Sequence, residues 1–150
     1  MYVAAGVTGN TGGAVARTLM ARGVSLGVIV RDPEQGRDWA ALGAEVTVAD
    51  LSDASTLATA FAGAEAAYVL NPPAYTADNL FARAEATAEA VRKAVKKSGL
   101  RRLVVLSSVG AHLSTGHGNI RTNSIFEERL WHLDASVTFV RPAYLQPYGA

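Results

Sequence analysis

The stretch Gly6-Val7-Thr8-Gly9-Asn10-Thr11-Gly12-Gly13 constrains this chain more than any other. It leaves a short apolar run, Tyr2-Val3-Ala4-Ala5, and enters a segment of helical period carrying Ala14, Val15, Leu19 and Met20. Glycines in a strand-to-helix turn permit a tight reversal, admit a ligand close to the main chain and let the helix lie against the sheet. The helix start adds free N–H groups and a partial positive charge, so the unit suits an anion such as a pyrophosphate. A P-loop is excluded: that loop closes on Gly-Lys-Ser/Thr, and here Gly12-Gly13 is followed by Ala14-Val15. A glycine-rich turn can also be a plain connection, and the rest of the chain has to decide between the two.

Downstream, short runs rich in Val and Ile alternate with longer segments of helical period. That is the pattern of parallel strands covered by crossover helices. The strands are expected at residues 2–5, 25–30, 45–49, 67–70, 103–107 and 137–140. The helices are expected at about 11–22, 34–42, 53–61, 77–98 and 123–133. In the longest helix Leu80, Ala84, Thr87, Val91 and Val95 share one face, Arg83 and the lysines lie mostly elsewhere, and Gly99 supplies the stop. Right-handed crossovers then give a doubly wound α/β parallel sheet of six strands, a Rossmann architecture in order 3-2-1-4-5-6 with helices on both faces.

The chain has 150 residues, 49% of them hydrophobic and 18% charged, which suits one domain and rules out a disordered one. With Lys+Arg 14 against Asp+Glu 13 the net charge is +1, so no global field drives binding to nucleic acid or membrane, and neither is expected as a partner. The basic cluster from Arg92 to Arg102 ends a helix, where the dipole favours cations. There is no cysteine, which removes disulfides and thiolate metal sites together. His112, His117 and His132 lack the spacing of a common metal site, so no metal is expected. Without a signal-like N-terminus or a long apolar span, a cytoplasmic location is expected.

The glycine spacing is Gly-x-x-Gly-x-x-Gly, one residue longer in its first interval than the ordinary dinucleotide fingerprint. It is joined by Val30-Arg31-Asp32-Pro33 after the second strand and Ala49-Asp50-Leu51-Ser52-Asp53 after the third. Val105-Leu106-Ser107-Ser108-Val109-Gly110-Ala111 follows at the fifth, and Phe139-Val140-Arg141-Pro142-Ala143-Tyr144-Leu145 at the sixth. With these motifs the chain resembles the NmrA-like atypical short-chain dehydrogenases/reductases from residue 1 to about 147. It departs from them at Ala5, where such proteins commonly carry Thr.

The resemblance implies an NAD(P) cofactor, with its pyrophosphate on Gly6, Thr8, Gly9, Asn10, Thr11 and Gly12. It implies adenine contacts from Asp50 and Leu51, and passage of Asn71-Pro72 beneath the cofactor. Read from the residues alone, Asp50 can equally serve its turn while Ser52 or Asp53 caps the next helix, and the two prolines can simply end a strand. Arg31 is the first polar residue after the second strand, where a guanidinium meets a 2′-phosphate in bidentate fashion, so NADP(H) is preferred and NAD(H) possible. Adjacent Asp32 competes, either by taking the ribose hydroxyls or by pairing with Arg31, and Arg37 is a possible second phosphate contact, although an exposed helix arginine is the better default.

Ordinary short-chain reductases use a Tyr-x-x-x-Lys pair, which is absent here: the residues four beyond Tyr2, Tyr68, Tyr75 and Tyr144 are Gly6, Pro72, Asn79 and Tyr148. Ser107 and Ser108, where the family places its serine, are the catalytic candidates, against ordinary strand-end hydrogen bonding. Asn123 and Ser124 fall near the position of the missing pair, ahead of Glu127, Glu128 and Leu130. His112 is a remote general-acid candidate. The expected activity is NADPH-dependent hydride transfer to a small molecule such as a quinone. A noncatalytic NADP-sensing module is the alternative, and the missing pair suits both. Family relatives continue into a C-terminal portion that forms most of the substrate pocket. Residues 1–150 are therefore expected to be the cofactor domain, which binds but turns over poorly.

Overall fold

The computed structural model describes residues 1–73, 78–113 and 118–143. Tyr75, Ala77, His117, Tyr144, Leu145 and Tyr148, which enter the sequence reading, lie outside them. The elements run β1 (Tyr2–Ala5), α1 (Asn10–Ala21), β2 (Leu26–Val30), a 3-10 turn (Pro33–Gly36), α2 (Arg37–Ala41), β3 (Glu45–Val48), α3 (Ala54–Phe61) and β4 (Ala66–Leu70). They continue with α4 (Leu80–Ser98), β5 (Arg102–Leu106), a second 3-10 turn (Gly118–Ile120), α5 (Arg121–Leu130) and β6 (Ser136–Val140). All pairings are parallel and the strand order is β3-β2-β1-β4-β5-β6, as the alternation of elements predicts.

Strand residues alternate between two cores. Val3, Ala5, Ile29, Val69 and Val105 face α3, α4 and α5, and pack against Leu57, Phe61, Val91 and Phe126. Ala4, Leu26, Val28 and Val30 face α1 and α2, and pack against Ala16 and Trp39. Helices thus lie on both faces, but α1 and α2 pack over the β1–β3 half. Beside α1, a groove of about 630 Å³ is floored by Tyr68, Val104, Leu106 and Val140.

Three helices differ from the sequence expectation, and the one expected over 77–98 starts only at Leu80, with Asn79 as its cap. The segment 34–42 is not one helix but a 3-10 turn followed by a short α-helix. Pro33 starts the turn, and Gly36 passes so near β3 that a Cβ there would lie 2.4 Å from Val46 Cγ1. The helix expected over 123–133 begins two residues earlier and ends at Leu130. Elsewhere the signals hold. Asp53 caps α3 by accepting from the N–H groups of Ser55 and Thr56, Asn79 caps α4 by accepting from that of Ala82, and Gly99 ends α4 at φ +70°. Among the described residues no helix is long and apolar enough to cross a membrane.

Candidate cofactor site

A crevice opens at the carboxyl ends of the strands where β1 separates β2 from β4. There the chain's crossovers change direction, the position at which open parallel sheets bind ligands. The glycine loop builds its floor. Gly6 has φ +67°, a conformation that favours glycine, and a Cβ on it would press on the end of the Leu70 side chain, 2.4 Å from its Cδ2. The Gly9 N–H donates to the Gly6 carbonyl at 3.0 Å and closes the turn. Helix α1 then starts without a side-chain cap or an acidic residue in its first turn, leaving its leading N–H groups available to an anion.

Of the residues picked from sequence, Gly6, Thr8, Gly9, Arg31, Asp50, Leu51 and Pro72 converge on one cavity of about 240 Å³. Asn10 stands exposed at the head of α1. Thr11 and Gly12 are placed differently. Thr11 lines the groove on the far side of α1. Gly12 is buried, and a Cβ there would fall 2.3 Å from the Gly6 carbonyl oxygen and 2.5 Å from that of Ala5, so its absent side chain lets α1 seat against β1. Asn71 lines a second cavity of about 200 Å³ with Asn119, Thr122 and Asn123, which shares Pro72, Pro73 and Arg83 with the first.

The electrostatics separate the residues left open by the sequence. Asp32 accepts from the Glu34 N–H at 3.0 Å and caps the 3-10 turn. Among the described residues Arg31 has no ion pair, so Asp32 leaves it available. Arg37 pairs with Glu34 at 2.7 Å out in solvent and is not part of the cavity. Asp50 accepts from the Ser52 hydroxyl at 2.6 Å and the Ser52 N–H at 2.8 Å. These bonds, helped by the charges of Arg83 and Arg31, hold its carboxyl below the usual range. Asp50 therefore shapes the turn and Asp53 caps the helix, while Asp50 also borders the cavity.

The two serines after β5 differ. Ser107 is 7% exposed and donates its hydroxyl to Glu127 Oε1 at 2.5 Å, while Arg141 donates to the same carboxylate through Nε at 2.8 Å and through Nη2. Burial pushes the Glu127 carboxyl up, but the bonds from Arg141 and Ser107 and the Arg141 charge outweigh it and hold it below the usual range. Ser108 is less buried and its hydroxyl reaches only the Val109 carbonyl, at 3.2 Å. Of the two, Ser108 keeps the freer hydroxyl. His112 and His132 border a cavity next to Glu127 and Arg141, and among the described residues no His, Asp or Glu cluster could hold a metal ion.

Sequence reasoning missed Gln35, Arg83 and Thr87, which complete the wall of the first cavity. The helical period places Thr87 on the core face of α4 and Arg83 off it. Nothing local signals that the first turns of α4 stand beside the glycine loop.

A sequence-family profile described as NAD(P)H-binding matches residues 6–147. The chain belongs to that NAD(P)H-binding family, in agreement with the NmrA-like atypical short-chain dehydrogenase/reductase motifs read from its sequence. Solved structures share the fold. Triphenylmethane reductase of Citrobacter sp., complexed with NADP(H), is 24% identical with a TM-score of 0.83, the match covering 95% of this chain and 49% of that one. The NADPH-dependent quinone oxidoreductase QOR2 of Escherichia coli, complexed with NADPH, is 26% identical with a TM-score of 0.81, covering 94% and 48%. A putative NAD-dependent epimerase/dehydratase of Bacillus halodurans is 24% identical with a TM-score of 0.79, covering 95% and 70%. The chain spans about half the length of the first two. No curated protein matches it by sequence.

Proposed function

We propose that this chain binds NADP(H) in preference to NAD(H) and serves an NADPH-dependent reductase whose acceptor is a small molecule of the quinone kind. The observation that carries the cofactor preference is Arg31, a guanidinium at the end of β2 without an ion pair among the described residues, because neighbouring Asp32 is turned into a backbone cap. The crevice fits a dinucleotide in three respects. Free N–H groups at the head of α1 suit the pyrophosphate, the glycine turn leaves the main chain bare, and Asp50 retains a second carboxylate oxygen as an acceptor.

Bound there, the cofactor supplies a hydride, and a quinone that takes it with one proton from solvent becomes a hydroquinone. The residues mainly bind and orient. The glycine loop and Arg31 hold the phosphates, Asp50 and Leu51 border the adenine end, and Ser108 offers a hydroxyl near the β5 end. Hydroquinone oxygens are stable as anions compared with an alkoxide, so a Tyr-Lys acid is not required. The Ser107–Glu127–Arg141 cluster favours a second reading, a cofactor-sensing module, because it locks one candidate hydroxyl into a buried network. Titration with NADPH and NADH, followed by quinone-dependent NADPH oxidation on the same preparation, tests both. Tighter NADPH binding with turnover supports the reductase, NADPH binding without turnover by any quinone supports the sensor, and equal affinity for the two cofactors contradicts the role of Arg31.

A further inference from the structure

We propose that Arg83 covers the adenine ring of the bound dinucleotide, forming from α4 a wall that faces the ends of β2 and β3. This rests on the dinucleotide reading above and assigns a residue that no motif marks. Arg83 belongs to the first turn of α4, on the sheet face packed by α3, α4 and α5. Arg31 ends β2, and Gln35 lies in the turn leading to α2 on the opposite face. Both arginines nevertheless border the same cavity, which Asp50 and Leu51 also line. The slot is therefore walled from two sides by elements far apart in sequence.

Charge decides which part of the cofactor each arginine meets. Asp50 is ionised at neutral pH, and Arg83 exerts a larger field on it than Arg31 does. A phosphate brought to Arg83 would meet the repulsion of that carboxylate, whereas the bare head of α1 and Arg31 already supply the cationic side of the crevice. What suits the space beside Asp50 is a neutral ring with a donor edge: the exocyclic amine of adenine donates to the carboxylate while a planar guanidinium lies over the ring face. Leu51 and Thr87 supply contact area beneath. Among the described residues Arg83 has no salt bridge, so it is not held away by a competing carboxylate.

The test is the pattern of affinity losses. Arg83→Ala and Arg31→Ala are titrated with NADPH and with NADH, and circular dichroism checks that each variant folds. Arg83→Ala should weaken both cofactors by the same factor, about five- to tenfold for the loss of a planar group stacked on the base. Arg31→Ala should weaken NADPH alone. Arg83→Tyr, which restores a flat surface without charge, should recover most of the loss, and Arg83→Lys little of it. A loss confined to NADPH would make Arg83 a phosphate ligand and overturn the proposal. So would unchanged affinities, or full rescue by lysine without rescue by tyrosine. If the unaltered chain binds neither cofactor, the dinucleotide reading itself fails along with this assignment. If it binds and Arg83→Ala changes nothing, only this assignment fails.

Discussion

The β1–β3 half of the carboxyl edge and the β4–β6 half are built by different means. In the first half the chemistry belongs to backbone and short loops: a glycine turn, the bare head of α1, and a guanidinium and a carboxylate each at the end of its own strand. In the second half it belongs to side chains brought together from afar. Ser107 meets Glu127 across 20 positions, and Glu127 meets Arg141 across 14. A local device tolerates change everywhere except at the few atoms that shape it, whereas a buried polar cluster depends on every member. The first half is therefore expected to lose function while keeping its fold, and the second to lose both together.

Gly12 sharpens the comparison most, since it is the position in the first half where fold and site coincide. Gly12→Val drives a side chain into the carbonyls of Ala5 and Gly6 and should cost about 3 kcal/mol or more, read as a large fall in the urea midpoint. Gly9→Val, with φ −99° and its nearest neighbour 3.4 Å away, should fold normally and lose both cofactors. Normal binding by folded Gly9→Val would mean that the loop does not cradle phosphate.

Glu127→Ala tests the other half. It strips Arg141 and Ser107 of their shared acceptor and should cost about 2–3 kcal/mol, below the full penalty for a buried pair because Arg141 is partly exposed. Glu127→Gln keeps an acceptor and should cost less. The folded carboxyl lies below its ordinary value, so its contribution is complete above the unfolded pKa and fades as pH falls through the folded one. The stability difference between the unaltered chain and Glu127→Gln should therefore shrink in acid, below a pH of about 4. A difference that grows on acidification would contradict the cluster as described.

Arg31→Ala should leave stability unchanged and weaken NADPH at least about tenfold, with NADH nearly unaffected. Any large loss of stability would erase the contrast between the halves. The smallest effect is expected at the α4 cap: Asn79→Ala removes the bond to the Ala82 N–H and should cost about 1 kcal/mol in urea denaturation.

The glycine turn and the Gly99 stop were legible because each rests on contacts within a few residues, whereas the strand order followed from the handedness of the crossovers. The same local logic narrowed the α3 cap to Ser52 or Asp53, of which Asp53 is the cap. It left open where Thr11 and Gly12 face, because a motif states which residues form a loop but not which way each points once the helix packs. Thr11 turns to the groove beside α1, and Gly12 to the strand. Arg37 follows the default for an exposed helix arginine, pairing with Glu34 away from the cavity.

What the sequence by itself determined was therefore the succession of strands and helices, the glycine turn and the place of Arg31 at the end of β2, while only the structure turned Asp32 away from it. The tertiary structure alone decided that Arg83 and Thr87 join that crevice, and that Ser107 surrenders its hydroxyl to Glu127. The physical reason is that periodicity records only whether a side chain faces the core or solvent. Which partner it meets depends on the packing of α4 and α5 across the sheet, a contact between elements tens of residues apart that leaves no pattern in either one.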